Sequence, residues 1–141
     1  LYPDPESAAL RGALAEHYGV EPEQVDYINA HGTSTLLGDR AETLAIKNVF
    51  GGAAVAPPAS STKGATGHLM GAGGLTEVIA CIQVIREGVL PPTLNYSTPD
   101  PLCDLDYVPN TARPAVVRAA MSNSLGFGGQ NSSIVVSRYP S

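Results

Sequence analysis

The chain has 141 residues and a formal net charge of −5 at pH 7, which suits a single domain with a hydrophobic core. Hydrophobic residues make up 43% of it and charged residues 15%, so we expect a folded chain rather than a disordered one. The acidic balance gives no reason to expect a nucleic-acid-binding protein, which presents a basic face. No apolar stretch approaches the length that spans a membrane, so no membrane association is expected.

Helices and strands alternate along the first half of the sequence. Residues 5–19 carry apolar residues at helical spacing and end on a glycine, and residues 25–30 form a short apolar stretch typical of a strand. Residues 38–52 predict a second helix that ends at Gly51. The inward face of this helix is predicted to carry Ala41, Leu44, Ala45 and Phe50.

The alternation continues in the second half. APPASS at 56–61 leads into a predicted brief strand. Residues 74–88 are apolar nearly all round, which indicates a helix buried between two layers. The proline-rich stretch at 90–109 predicts a long ordered loop. Two final strands, VVRAAMSNS and SSIVVSRY, are joined by a turn at 125–129. The pattern predicts an α/β fold with helices packed on a sheet, in one domain at 1–141.

Two cysteines, Cys81 and Cys103, are too few for a disulfide framework, and neither has the spacing of a metal ligand. We therefore expect a reducing compartment, which is the cytoplasm in a bacterium and an organelle if the source is eukaryotic. The chain opens with LYPDPES and lacks an initiator methionine. This start fits a fragment or a processed product, and an artificial boundary would look the same.

Three loops that follow predicted strands carry polar residues among glycines. They read NAHGTST at 29–35, TKGATGHLMGAGG at 62–74 and SNSLGFGG at 122–129. Because ligands in α/β folds bind where strand ends open into loops, we expect the three loops to converge on one site. Glu77 follows on an otherwise apolar helix, and since a buried glutamate needs a partner, Lys63 is the candidate for an ion pair.

Each polar residue of these loops, taken singly, also has an ordinary structural interpretation. His31 could be a hydrogen-bonded histidine after a strand, Lys63 an exposed loop lysine, and Glu77 a solvent-facing residue in the first turn of its helix. The GAGG segment lacks the frame of a phosphate-binding loop. No third ligand is spaced for zinc.

Taken together, the loops resemble one family. They look like the signature loops of the β-ketoacyl-acyl-carrier-protein synthases, the condensing enzymes of fatty acid synthesis, and PPTLNYSTPDPLCDLDYVP at 91–109 is similar to the elongating type. The resemblance covers essentially all of residues 1–141, but only the C-terminal part of a family member. It implies the C-terminal half of a thiolase-like fold with five layers, α-β-α-β-α, in which the helix after His68 lies in the central layer.

The resemblance also implies a reaction, the decarboxylative condensation of malonyl-carrier-protein with an acyl-enzyme thioester. His31 and His68 match the two imidazole donors that stabilise the enolate formed on decarboxylation. Lys63 and Glu77 match residues that support these histidines. Phe127 matches a gating phenylalanine, whose backbone N–H completes an oxyanion hole and whose ring guards the acyl pocket.

Further matches concern the substrate. Thr33 and Thr35 match threonines that hydrogen-bond the phosphopantetheine arm, which arrives on the acyl carrier protein, so no cofactor is required. The glycines that would give the Phe127 ring room to move are Gly126, Gly128 and Gly129.

Four positions match residues that surround a structural monovalent cation in some members of the family. They are Asn29, Glu77, Ser122 and Asn123. Leu125 departs from the family, because many members carry phenylalanine there, and this difference alters the pocket near the gate.

The nucleophilic cysteine of the family lies in its N-terminal half, and neither cysteine of this chain matches it. Cys81 is interpreted as a small apolar residue within a helix, and Cys103 is flanked by acids that disfavour a thiolate. The implied partners are an N-terminal half that supplies the nucleophile, an acyl carrier protein and, in the complete protein, a second copy. The isolated chain is expected to be inactive.

Three alternatives remain open at this point. A polyketide ketosynthase shares the same chemistry. A non-catalytic partner subunit of an aromatic polyketide synthase tends to lack the histidine after the strand, which His31 argues against. A catalytically inactive fragment that serves as an interaction module is consistent with the missing nucleophile, and the acyl chain length is not indicated.

Overall fold

A four-stranded sheet organises the chain in the computed structural model, which describes residues 21–139. Its strands lie in the order β2-β1-β5-β6, with β1 parallel to both β2 and β5, and β6 antiparallel to β5. Strands β3 and β4 form a separate antiparallel pair that was not predicted from the sequence. In chain order, the strands are β1 (Tyr27–Asn29), β2 (Ala59–Ser60), β3 (Val89–Leu90), β4 (Arg113–Pro114), β5 (Ala119–Leu125) and β6 (Asn131–Ser137).

Three α-helices lie in the described part of the chain: α1 (Leu36–Phe50), α2 (Lys63–Thr66) and α3 (Gly73–Glu87). The prediction that Gly51 ends α1 is confirmed, since Gly51 takes the left-handed backbone conformation with φ 84°. The helix begins two residues before its predicted start. The helix predicted at 5–19 lies outside the described residues. Within the described range, no helix has the length and apolar character needed to cross a membrane.

The predicted inward face of α1 is wrong in part. Leu44 is 46% exposed, and Ala41, Ala45 and Phe50 are only half-buried. The buried positions are Gly38, Glu42, Thr43, Ile46 and Val49. Glu42 and Thr43 can lie inside because both are hydrogen-bonded, the Thr43 hydroxyl donating to the Asp39 carbonyl at 2.7 Å. A helical periodicity based only on apolar residues does not predict a buried face that includes polar residues such as Glu42 and Thr43.

Both faces of the sheet are covered by helices. On one face, Ile46 and Val49 of α1 pack with Ile28 and Met121 of the sheet. On the other face, a second cluster joins α3 to the strand residues whose side chains point the opposite way. Its members include Tyr27, Cys81, Val84, Ile85 and Leu90. Successive strand residues point to opposite faces, so one short strand serves both cores.

Helix α3 is apolar on two opposite sides, but the described chain covers only one of them. Cys81 and Val84 are buried against the sheet, whereas Leu75, Ile79 and Ile82 are 68%, 49% and 41% exposed. At 100° per residue these two sets lie on opposite faces of the helix. The prediction of a helix buried on most sides therefore does not hold within residues 21–139, because the second covering layer is not among them.

Residues 91–112 connect β3 to β4 without a regular helix, as predicted for the proline-rich loop, and we call them the strap. Two ion pairs fasten the strap to α1. Arg40 Nε lies 2.8 Å from Asp100 Oδ2. Lys47 Nζ lies 2.8 Å from Asp104 Oδ1. The strap thus lies along α1 and reaches the edge of the sheet where the polar loops begin.

Candidate functional site

The three polar loops meet at one edge of the sheet, as predicted. Strands β1, β2 and β5 are parallel, so their carboxyl ends open at the same edge. Between the loops lies an open groove of about 1150 Å³. The predicted site residues that line it are His31, Thr33, Thr35, Lys63, His68, Glu77, Gly126, Phe127 and Gly128.

The rings of His31 and His68 face each other across this groove. Their centroids are 5.7 Å apart and the ring planes are inclined at 85°, an edge-to-face arrangement. The Met70 backbone N–H donates to Nδ1 of His68 at 3.2 Å. A neutral imidazole that accepts at Nδ1 carries its proton on Nε2, so His68 presents Nε2–H as its hydrogen-bond donor.

The His31 imidazole is held in its neutral form. Burial lowers the pKa of His31, and repulsion of a second positive charge by Lys63 and by a protonated His68 lowers it further, from 6.5 to about 4. At pH 7 the ring is therefore an uncharged donor. Two neutral imidazoles can stand this close without the repulsion that two imidazolium ions would suffer.

Lys63 and Glu77 form the ion pair predicted from the sequence. The Lys63 ammonium donates to Oε1 of Glu77, and the two side chains are only 8% and 4% exposed. The alternatives of a loose surface lysine and a solvent-facing glutamate are therefore wrong. The pair joins the His68 loop to the buried face of α3.

Glu42 belongs to the site and was not identified from the sequence. Its carboxylate accepts the backbone N–H of His31 at 2.9 Å and that of Gly32 at 3.0 Å. The side-chain amide of Asn123 donates to it at 3.2 Å. Burial raises the pKa of Glu42, although these hydrogen bonds oppose the change. The i, i+4, i+7 spacing of Glu42 with Ile46 and Val49 is the signal that could have placed it on the inner face.

Glycines shape the turn that presents Phe127. Gly126 N–H donates to the Gln130 carbonyl at 2.7 Å, and a Cβ at position 126 would lie 2.9 Å from that oxygen. Gly128 and Gly129 both have φ 80°. The Phe127 side chain is 99% exposed at the groove. The proposed motion of this ring stays a prediction.

The two threonines lie on the wall of the groove that follows His31. The hydroxyl oxygens of Thr33 and Thr35 are 3.5 Å apart. Thr35 is the residue immediately before the first residue of α1. The contact of the two threonines with the phosphopantetheine arm stays a prediction.

The four positions matched to a monovalent cation are all buried, but the Asn123 amide contacts Glu42 of α1 on the face of the sheet opposite to Ser122. Asn29 and Ser122 are register neighbours on β1 and β5. Their side chains carry oxygen atoms, which are the ligands that hard cations prefer. The Glu77 carboxylate, by contrast, is already paired with the Lys63 ammonium. Among residues 21–139 there is no group of three or more His, Cys, Asp or Glu residues suited to a metal ion. The cation site stays a prediction.

Cys81 does not fit a nucleophile for these histidines, and Cys103 lies outside the groove between them. Cys81 is fully buried in α3, and burial raises the pKa of its thiol to about 12. Cys103 lies in the strap and is half-buried; it lines a second cavity of about 760 Å³.

The buried ion pair generates a stability prediction. Replacing Lys63 with methionine leaves Glu77 buried without its charge partner, so we expect the free energy of unfolding to fall by about 3–5 kcal/mol. The double variant Lys63→Met/Glu77→Leu buries no unpaired charge and should recover most of this loss. Urea denaturation of the two variants measures both effects. Single and double variants of equal stability would show that the pair is not buried as described.

The low pKa of His31 generates a second prediction. In a pH titration followed by NMR, the His31 imidazole should stay neutral through pH 6.5 and take up its proton only near pH 4. Since the unfolded chain takes up this proton first, His31 should make folded-state stability decline as pH falls from 6.5 towards 4. An imidazole that titrates at or above 6.5 would contradict the account of its environment.

Comparison with known proteins agrees with this geometry. The family model of the beta-ketoacyl synthase C-terminal domain matches residues 2–97, more than half of the chain. The 3-oxoacyl-[acyl-carrier-protein] synthase 2 of Coxiella burnetii is 48% identical over 140 residues, which cover 96% of this chain and 34% of that protein. The chain thus spans about a third of the length of the curated relatives it matches.

Solved structures show the same similarity. The ishigamide ketosynthase/chain length factor superposes with a TM-score of 0.90 at 40% identity, covering 99% of this chain and 34% of that one. A complex of AntDE with AntF, a type II polyketide synthase acyl-carrier protein with its ketosynthase, gives a TM-score of 0.88 at 38% identity, covering 96% and 33%. The α/β fold is therefore thiolase-like, and the chain belongs to the β-ketoacyl synthase family, of which it represents the C-terminal domain.

Proposed function

We propose that the chain is the C-terminal part of a 3-oxoacyl-[acyl-carrier-protein] synthase of fatty acid elongation. Such an enzyme joins a malonyl unit on the carrier protein to an acyl group held as a thioester on the enzyme. The observation that carries the proposal is the pair formed by His31 and His68, with ring centroids 5.7 Å apart and His31 held neutral. This arrangement suits the stabilisation of an oxyanion.

The chemistry explains why two neutral donors are needed. When the malonyl carboxylate leaves as carbon dioxide, its bonding electrons pass into an enolate, and negative charge develops on the thioester oxygen. Imidazole N–H groups aimed at that oxygen stabilise it most when the charge is largest, and a single such donor is worth about 2.7–4 kcal/mol. The enolate carbon then attacks the acyl thioester, and the enzyme's cysteine thiolate leaves. His68, with Nε2–H free to donate, and His31 are the proposed donors.

Lys63 and Glu77 act in this scheme as positioning residues. Their buried ion pair fixes the start of the His68 loop against α3. The charge of Lys63 is also one cause of the low pKa of His31, which keeps that histidine a neutral donor.

The remaining predicted contacts concern the substrate. We propose that Thr33 and Thr35 hydrogen-bond the phosphopantetheine arm, and that the backbone N–H of Phe127 contributes to the acyl oxyanion hole while its ring guards the pocket. The structural neighbour AntDE is a ketosynthase in complex with an acyl carrier protein. An acyl carrier protein is accordingly the proposed substrate carrier here, in a cytoplasmic setting.

The nucleophile is proposed to come from a region beyond the described chain. Cys81 is buried with a raised pKa, and Cys103 lies in the strap, so the site needs a cysteine from the N-terminal part of the synthase. The exposed apolar side of α3, formed by Leu75, Ile79 and Ile82, is the surface that we expect that part to cover. Pairing of two complete copies remains a prediction.

A polyketide ketosynthase is the second candidate. It is favoured by the solved structures, since both the ishigamide ketosynthase and AntDE superpose closely on this chain. The Coxiella burnetii synthase, at 48% identity, supports fatty acid synthesis, although Nodulation protein E of Rhizobium meliloti is 53% identical over 127 residues. Both candidates use the same enolate chemistry. An inactive interaction module is the third candidate.

Alanine substitution of each histidine tests the proposal. In the full natural polypeptide that contains this chain, His31→Ala and His68→Ala should each lower the rate of malonyl-carrier-protein decarboxylation by about 10²–10³. The readout is carbon dioxide release. Leu44→Ala, which alters a surface side chain of α1, is the matched control and should leave the rate unchanged. Full activity in either histidine variant would refute the enolate role.

A further inference from the structure

We propose that Thr93, in the strap, is a positioning residue that sets the separation between His31 and His68. This inference rests on the proposed function, because it concerns the same two histidines. Thr93 does not line the groove between the two histidines, but it lines the cavity of about 760 Å³ that Lys63 and His68 also border. It acts through Ser61, which connects the two histidine loops.

The loop that carries His31 contacts Ser61 directly. Gly32 follows His31 and has φ 39°, and a Cβ at this position would lie 2.6 Å from Cβ of Ser61. Such a distance is too short for any side chain larger than hydrogen. The Ser61 hydroxyl donates to the Gly32 carbonyl at 2.7 Å. The backbone beside His31 therefore rests directly on Ser61.

Ser61 leads into the loop that carries Lys63 and His68. It lies two residues before Lys63 and at the end of β2, and the Lys63 backbone N–H approaches its hydroxyl at 3.4 Å. A displacement of Ser61 would thus move the Gly32 backbone and the start of the segment that carries Lys63 and His68 at the same time.

The Thr93 hydroxyl holds the backbone of Ser61 in place. Its backbone N–H donates to the Thr93 hydroxyl at 3.1 Å, and that hydroxyl donates to the Tyr107 carbonyl at 2.7 Å. Because the single hydroxyl proton is used on Tyr107, a lone pair of the oxygen is directed to Ser61. Ser61 is only 8% exposed, so loss of this acceptor would leave a buried N–H without compensation from bulk water.

Backbone hydrogen bonds within the strap fix the position of Thr93. Its backbone N–H donates to the Val108 carbonyl at 3.0 Å, and its own carbonyl accepts from Asn110 N–H at 3.0 Å. The strap that contains all three residues is fastened to α1 by its two ion pairs. Helix α1 in turn holds the His31 backbone through Glu42. These contacts close a ring that runs from the His31 loop through Ser61, the strap and α1 back to His31.

Two substitutions at position 93 separate positioning from simple packing. Thr93→Val keeps the shape and removes the hydroxyl, whereas Thr93→Ser keeps the hydroxyl and removes a methyl group. In the full natural polypeptide, we expect Thr93→Val to lower kcat for malonyl-carrier-protein decarboxylation about five- to tenfold with KM unchanged, as loss of one hydrogen bond at the site predicts. Thr93→Ser should retain the wild-type kcat.

A second readout does not depend on activity. Hydrogen exchange of the Ser61 amide should be faster in Thr93→Val than in wild type and unchanged in Thr93→Ser. Should Thr93→Val fail to fold, Thr93→Ala replaces it, since it also removes the hydroxyl that accepts from the Ser61 N–H and should lower kcat in the same way.

The outcomes distinguish the two proposals. Absence of decarboxylation in the wild-type protein would refute the proposed function, while the exchange of the Ser61 amide still tests the contact. A wild-type kcat in Thr93→Val, or an equal loss of kcat in Thr93→Ser, would overturn the positioning role of Thr93.

Discussion

The buried ion pair of Lys63 and Glu77 is the interaction on which the arrangement of the site depends. An ammonium and a carboxylate at 8% and 4% exposure are tolerated only because each neutralises the other. The pair holds the start of the His68 loop against α3, the helix that packs on the sheet. The charge of Lys63 also helps to keep His31 neutral. One contact thus serves both the position of one histidine and the protonation state of the other.

Much of this site follows from sequence patterns whose causes are local. Glycine-rich loops after parallel strands must open at one edge, and the cost of burying a charge made Lys63 the predicted partner of Glu77. The inner face of α1 could not be predicted in the same way. Glu42 and Thr43 are buried because of hydrogen bonds to the loop after β1 and within the helix, and only the tertiary structure shows these partners. The small β3–β4 sheet depends likewise on a strap whose path is fixed by distant ion pairs.

The structure also shows what the described chain does not supply by itself. Helix α3 offers an apolar side, exposed at Leu75, Ile79 and Ile82, opposite the one that packs on the sheet. The groove brings together two histidines, their supporting ion pair and a glycine-rich turn, whereas Cys81 is fully buried in α3 and Cys103 lies in the strap, outside the groove. Both features agree with the proposal that another part of a layered thiolase-like protein covers α3 and supplies the nucleophile.

Complementation measures this central claim most directly. The chain alone, and the chain combined with the N-terminal region of its natural polypeptide, would be incubated with malonyl-carrier-protein and an acyl donor, and the 3-oxoacyl product would be quantified. We predict product only in the combined sample, because the histidines that stabilise the enolate lie in this chain and the nucleophilic cysteine lies in the N-terminal region. Product formation by the chain alone would contradict it.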